Sequence, residues 1–291
     1  MSTLELPNFR TLELLNERKA LVEAHLSAYL PPHGTRPANL TDAMRYAVLS
    51  GGKRLRAILC LAAAEAAGGN AEAALPAACA VEILHTYTLV HDDLPCMDND
   101  VLRRGLPTVH VKYGEALAVL AGDALLTLAF EVLARSHETA PGMAARLVTE
   151  LAGAAGATGV IGGQVEDIAS AHAPTRAAID YVFQHKTADL FRAAVRLGAI
   201  TAQAPDAALE KLSAYANGLG FAFQVIDDIL DAAESKSGDE PELSCLDIMT
   251  EAEARAWAMR LTADACAALS GLPGNTLPLS AIADALLARV T

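Results

Sequence analysis

The sequence predicts a single all-α domain, and three observations carry that prediction. Hydrophobic residues make up 53% of the chain and aromatics only 4%. The core must therefore be built from Ala, Leu, Val and Ile, which suits helices packed through small side chains better than a β sandwich. Apolar residues recur at helical spacing along most of the chain, and no alternating strand pattern of useful length interrupts them. No composition shift marks a linker, although 291 residues would allow two average domains.

In chain order, residues 9–30 carry a helical apolar pattern that ends at Pro31-Pro32, and the loop PPHGTRPAN follows. Thr41 or Asp42 is expected to cap a helix running to Ser50. Gly51-Gly52 breaks the chain, and KRLRAILCLAAAEAA resumes as a helix until Gly68-Gly69-Asn70. A further helical stretch, with Pro76 near its start, reaches Asp93. Residues 115–135 are apolar nearly all round, the mark of a buried helix, with Asp123 expected inside it as a satisfied core carboxylate. The next segment, LAGAAGATGVIGGQVEDIA, carries glycines at 153, 156, 159, 162 and 163, which predicts close backbone approach or a broken helix. Residues 175–203 and 206–231 read as two long helices and 232–243 as a polar loop. Helices over 250–270 and 278–290 close the chain.

A formal charge of −13 argues against nucleic acid as a partner. No apolar run is expected to reach the ~20 residues that span a bilayer. The start, MSTLELPNFRTLELLNERKA, carries acids where a signal or transit peptide would not. Cys60, Cys79, Cys96, Cys245 and Cys266 are scattered with no CxxC, the pattern of reduced thiols in a cytoplasmic protein, most of them core filler.

The chemistry concentrates in HTYTLVHDDLPCMDNDVLRRG, residues 85–105. His85, Leu89 and Asp92 recur at i, i+4 and i+7 and share one helix face. Pro95 disfavours helical dihedrals at Leu94, so the chain is expected to bend there. The bend matters because Asp92 and Asp98 would lie on different faces of an unbroken helix. Acids facing one another at close range repel unless a cation sits between them. A solvated acidic loop is the alternative for this stretch alone. A second acidic site shifts the balance: in FQVIDDILD, residues 223–231, Asp227 and Asp231 lie on one helix face with Gln224 a turn earlier. Two like charges four apart destabilise a helix, and this segment is too apolar to be freely solvated. Lys53 and Arg56, just after the glycine pair, Arg103 and Arg104, and Lys186-Thr187 add cations. Together, two carboxylate clusters and several basic groups describe a site for Mg²⁺ and phosphate oxygens.

In this order the motifs GGKRLR (51–56), LHTYTLVHDDLPCMDND (84–100), LRRGLPTVH (102–110), GQVED (163–167), KT (186–187) and FQVIDDILD (223–231) resemble those of short-chain trans-isoprenyl diphosphate synthases of the bacterial farnesyl diphosphate synthase type. The resemblance implies one polyprenyl synthetase domain over 1–291, a helical bundle around a central active-site cavity, and a homodimer. It implies that Asp92 and Asp98 on one wall and Asp227 on the other hold three Mg²⁺ ions around an allylic diphosphate. Asp93, Asp228 and Asp231 are then outer-shell or weaker ligands. Arg103 and Lys186 are implied to contact the allylic diphosphate, and Lys53, Arg56, His85 and Arg104 the diphosphate of isopentenyl diphosphate. The Lys186 carbonyl, the Thr187 hydroxyl and the Gln224 amide are implied to face the developing carbocation. Tyr87 and Thr88, five and four residues before Asp92, are implied to floor the elongation cavity. Tyr87 should block long chains, whereas small Thr88 leaves room for more than one addition. The expected product is farnesyl diphosphate, with geranyl and geranylgeranyl diphosphate as neighbours.

Two positions depart from the family pattern. Asn99 stands where many relatives carry Asp. The loop AAESKSGDEPELSCLDIMT is short and acidic, with Lys236 its only lysine and Ser244 near the family's threonine, which predicts altered closure over the allylic substrate. Two rivals follow. A non-catalytic partner subunit has only that loop in its favour, and a terpene cyclase would need neither the Lys53, Arg56 and Arg104 set nor so few aromatics.

Overall fold

The computed structural model describes residues 9–136, 141–170, 174–234 and 243–290. Among them the chain is α-helical, as its composition predicts. The helices are α1 (Phe9–Tyr29), α2 (Ala38–Leu49), α3 (Leu55–Ala66), α4 (Leu75–Asp92), α5 (Val109–Tyr113), α6 (Glu115–Ser136), α7 (Pro141–Ala155), α8 (Val160–Ser170), α9 (Arg176–Val182), α10 (Asp189–Thr201), α11 (Asp206–Glu234), α12 (Glu251–Ala268) and α13 (Leu277–Leu287). A π-turn, Phe183–Ala188, joins α9 to α10.

The centre is α4, α10 and α11. α4 packs on α3 and α6, α10 on α3, α7 and α11, and α11 on α12. Small side chains make this possible: Ala57 through Ala64 of α3 are all buried, so neighbouring helices approach closely. Full burial of each Leu or Ile in these contacts stabilises by roughly 1.5–3 kcal/mol. The few large core residues are satisfied as well as packed, and the buried Tyr215 hydroxyl donates to the Leu279 carbonyl at 2.7 Å.

Several boundaries differ from expectation for identifiable reasons. α2 begins at Ala38, because the expected caps are engaged elsewhere. The Thr41 hydroxyl donates to the Thr35 carbonyl (3.0 Å) and Asp42 holds His33 Nδ1 (2.5 Å). α3 begins at Leu55, since Arg54 is left-handed (φ 54°) and buried, with its guanidinium on the Val48 carbonyl at 2.7 Å. Pro76 does sit in the first turn of α4, where its missing N–H costs nothing. The glycine-rich segment gives the expected break between α7 and α8. The predicted 175–203 helix is interrupted by the π-turn. A two-stranded hairpin, β1 (Leu102–Arg103) against β2 (Leu106–Pro107), was too short for any strand pattern. Its two-residue turn has positive φ at both Arg104 (55°) and Gly105 (76°), the type I′ geometry that matches strand twist.

α6 corrects the largest expectation. One face packs on α4, but Val119 and Leu120 on the other are 40% and 54% exposed, so the helix is not buried within one chain. Asp123 lies on that open face, 4.0 Å from His91 Nε2, and is no core carboxylate. By length and composition, residues 72–92 and 115–136 are apolar enough to cross a bilayer, contrary to the sequence expectation. The first is mostly buried in the bundle, and the second exposes Asp123 and Glu131 on its open face. Of the cysteines, Cys60, Cys79 and Cys245 are buried, Cys266 is half-buried and Cys96 exposed, all unpaired.

Candidate active site

α4 ends at the bend that Pro95 imposes. The Asp98 amide returns to the Asp92 carbonyl at 2.9 Å, folding the loop back on the helix end. The carboxylates of Asp92 and Asp98 then share the field of Lys186. Burial, with Asp98 and Asp93 adding repulsion against Lys186 and Arg103, pushes Asp92 up to about 7. Asp98 is raised as well, first by burial and then by Asp100 and Asp167. Asp93 points elsewhere. It is 3% exposed and holds Arg103 Nε at 2.5 Å, while Arg103 also donates to Asp100 at 3.0 Å. Of the two supporting roles expected for Asp93, its packing suits the outer shell and not a ligand. Asn99, the departure in this motif, has φ 53°, a conformation that asparagine tolerates better than most residues.

The second row stands on α11. Asp228 is 7% exposed and accepts from the Cys245 amide (2.7 Å), the Ser244 hydroxyl (3.2 Å) and Gln224 Nε2 (3.0 Å). Ser244 also caps the short 3₁₀ turn Cys245–Asp247. Like Asp93, Asp228 is committed to the protein. Asp227 is half-buried and pairs with Arg289 Nη1 at 2.8 Å. Burial raises its pKa, opposed by Arg289, Lys53 and Arg56. Asp231, one turn on, is exposed. Lys236 lies outside the described residues.

Basic groups face the rows. Arg56 Nη1 lies 3.0 Å from His85 Nε2 and its guanidinium sits 4.9 Å from the centre of the Phe191 ring. Burial lowers Arg56 to about 10, so it stays charged at neutral pH. Burial, then Arg56, Arg104, Arg103 and Arg54, holds His85 well below the usual imidazole range. A neutral ring whose Nε2 accepts from Arg56 brings no positive charge to a diphosphate. His85 thus stands beside Arg56, the other group of that helix pair expected on the second diphosphate. Arg104 donates to the Gly51 carbonyl, tying the hairpin to the glycine loop, and Lys53 is exposed.

Lys186 and Thr187 lie inside the π-turn. Lys186 Nζ is 2.5 Å from Asp167 of α8. Burial alone would lower the ammonium, but Asp167, Asp92 and Asp98 outweigh it and hold Lys186 above its ordinary value. Thr187 Oγ1 donates to Gln224 Oε1 at 2.8 Å, and Gln224 donates on to Asp228, so one hydrogen-bonded chain links Thr187 to the second row. Below the first row, Tyr87 is buried with its ring edge-on to His91 at 5.7 Å. Burial, then Asp92, raises its hydroxyl to about 12. Thr88 donates back to the His85 carbonyl at 2.8 Å.

Four contributors were not assigned from the sequence. Asp167 lies within GQVED, and a carboxylate one turn from Gly163 was a usable signal. Arg54 stands in GGKRLR, but only the fold shows it buried beside Glu82, 3.9 Å away. Arg289 and the Cys245 amide carry no local signal.

Among the described residues, no three His, Cys, Asp or Glu side chains cluster as a closed metal site. Mg²⁺ is usually held by one or two carboxylates and completes its shell with substrate phosphates and water. Burial is the first cause of the raised pKa of Asp92, Asp98 and Asp227, opposed by Lys186 at the first two and by Arg289, Lys53 and Arg56 at the third. These residues fit the ion.

The polyprenyl synthetase family matches residues 37–250. A dimethylallyltranstransferase of Fischerella ambigua (strain UTEX 1903) is 39% identical over 99% of this chain and 85% of its own. A geranylgeranyl diphosphate synthase of Cyanophora paradoxa is 44% identical over 79% of this chain and 78% of its own. The crystal structure of an apo FPP/GFPP synthase from Zymomonas mobilis superposes with TM-score 0.87 at 36% identity, covering 96% of this chain and 99% of that one.

Proposed function

The chain belongs to the polyprenyl synthetase family, as a short-chain trans-isoprenyl diphosphate synthase, and from that we propose that it condenses isopentenyl diphosphate with dimethylallyl or geranyl diphosphate to give (2E,6E)-farnesyl diphosphate. The observation that carries the chemistry is the meeting of partly buried carboxylates with cationic groups at both rows. Asp92 and Asp98 on one side and Asp227 on the other are raised by burial and meet cationic groups, the arrangement a metal-bridged polyanion would complete. Mg²⁺ bound there would supply the positive charge that stabilises the departing diphosphate.

The chain's own groups divide the remaining work. Lys186 and Arg103 neutralise the allylic diphosphate, and Lys53, Arg56 and Arg104 hold the second diphosphate, with His85 beside Arg56. As the allylic C–O bond breaks, the Thr187 hydroxyl and the Gln224 amide present fixed dipoles to the carbocation without forming a bond to it. Their mutual hydrogen bond sets both orientations. The double bond of isopentenyl diphosphate then attacks the cation, and the released diphosphate takes the proton, so no side-chain base is required.

Tyr87 supports the C15 product, because its buried ring lies edge-on against His91 beneath the first row. A C20 product is the second reading, favoured by small Thr88 and by relatives at 43–46% identity named geranylgeranyl synthases. The open face of α6 supports a homodimer, since a second copy would cover Val119 and Leu120. Reduced buried cysteines accord with a cytoplasmic setting. The test is incubation with Mg²⁺, isopentenyl diphosphate and either allylic starter, with products sized by chromatography. Farnesyl diphosphate as the main product is expected; C20 or longer would overturn the floor assignment.

A further inference from the structure

The π-turn that carries Lys186 and Thr187 is followed by one buried acid that bonds back to it. Asp189, the first residue of α10, is 3% exposed. Its carboxylate accepts from Gln184 Nε2 at 2.9 Å and Arg192 Nη2 at 3.0 Å, and lies 2.8 Å from His185 Nδ1. The first of these bonds spans five residues. At 3.6 residues per turn, i and i+5 point about 140° apart and cannot meet. A π-turn, with its i→i+5 pattern, brings them to one side. The Gln184–Asp189 bond is therefore available only while the turn stays π.

The flanking helices are cut to fit this shape. A Cβ at Gly163 of α8 would overlap the Lys186 amide nitrogen, and one at Gly220 of α11 would overlap the Ala188 Cα. The widened turn fills the space those glycines leave. π-turns are rare because they exchange good helical bonds for poorer ones, and they gather at functional sites. This one places Lys186 on Asp167 and Thr187 on Gln224.

We propose that Asp189 is a positioning residue: through Gln184 it keeps the 183–188 turn in its π form, and so sets Lys186 and Thr187 in the allylic half of the site. Asp189 itself touches no substrate. The inference rests on the prenyltransferase reading for its kinetic consequence but not for its structural one.

The experiment compares the parent with Asp189→Ala, Asp189→Asn and Gln184→Ala. Asp189→Ala is expected to lower kcat/KM for the allylic substrate about 10–100-fold, the scale of a small misplacement. KM for isopentenyl diphosphate should stay within about twofold, because Lys53 and Arg56 stand on other elements. In the metal-free protein, amide exchange should accelerate over 183–190 and not in α11. Asp189→Asn, which keeps an acceptor for Gln184, should recover part of both effects. Should Asp189→Ala not fold, Gln184→Ala removes only the five-residue link. It should move allylic kinetics and local exchange in the same direction by about 3–10-fold. Parent-like allylic kinetics and exchange in Gln184→Ala, or a loss in Asp189→Ala shared equally by both substrates, overturn the assignment. If the parent itself condenses nothing, the prenyltransferase reading fails, while the exchange data still decide whether Asp189 holds the turn.

Discussion

The two acidic rows share a plan and differ in what holds them. Each sets carboxylates against cationic groups, Asp92 and Asp98 in one and Asp227 in the other, and each commits a neighbouring acid to the protein. In the first row the committed acid, Asp93, clamps Arg103 of the hairpin that follows within the same motif. In the second, Asp228 is gripped by Ser244 and Cys245, beyond the end of α11, and Asp227 by Arg289 near the chain terminus. The first row is thus a local construction built by a proline bend. The second is completed only when distant segments dock. A helix that carries adjacent acids must turn one of them inward, and a buried carboxylate needs donors wherever the fold can supply them.

The largest expected effects test what the rows share. Asp92→Ala and Asp227→Ala should each cut prenyl transfer by roughly 10³-fold or more, because in the proposed mechanism each would hold positive charge against the leaving diphosphate. Steady-state turnover with saturating Mg²⁺ measures it. Near-parent rates in either variant would break the symmetry on which the comparison stands.

Next come the committed acids, where stability, not turnover, should move first. Asp228→Ala strands the Cys245 amide and the Ser244 hydroxyl, and should cost about 1–3 kcal/mol in urea unfolding. Asp93→Ala removes the buried partner of half-buried Arg103 and leaves it the exposed Asp100 hydrogen bond. It should cost a similar amount and also loosen the hairpin, which amide exchange over 101–108 would register. If Asp228→Ala abolished turnover at parental stability, Asp228 would belong with the ligands.

The pH response should separate the rows further. Asp92 titrates at about 7 in the folded chain against 3.8 ordinarily. The native state therefore binds more protons than the unfolded one between about pH 4 and pH 7, and stability falls as pH rises through that window. Metal-free protein should melt higher at about pH 6 than at about pH 8, and Asp92→Asn should flatten that slope while raising the melting temperature at the upper end. Asp227 is also raised, but Arg289, Lys53 and Arg56 oppose the shift, so Asp227→Asn should change the slope less. An equal change from both variants would remove the distinction.

How far the sequence reveals the site follows the same division. The bend at Pro95, the acids around it, the Asp227 face and the glycine-dense segment were all legible because cause and effect lie within a few residues. The Thr41 and Asp42 caps failed because those side chains found tertiary partners, at Thr35 and His33. The π-turn was invisible, since its causes are glycines on two other helices and one acid that looks like any surface residue. α6 read as buried because its open face is apolar, and periodicity alone does not show whether the covering partner lies within the same chain.

The smallest effect concerns Arg289. Its pair with Asp227 has both side chains about a third exposed, at 30% and 27%, so it stabilises the fold by no more than about 1 kcal/mol. It nonetheless occupies a carboxylate oxygen that a metal would use. Removing the guanidinium exposes that oxygen and deletes a positive charge that repels an incoming cation, so both changes favour metal binding at the second row alone. Arg289→Ala should tighten Mn²⁺ binding to substrate-free protein by about 3–5-fold, consistent with loss of ~1 kcal/mol of competition, as read by electron paramagnetic resonance titration. The same substitution in an Asp227→Ala background should do nothing, because the competition has no object. Tightening that survives in the double variant would assign it to the first row or to the general field, and the two rows would then differ in where their braces come from but not in how they meet a cation.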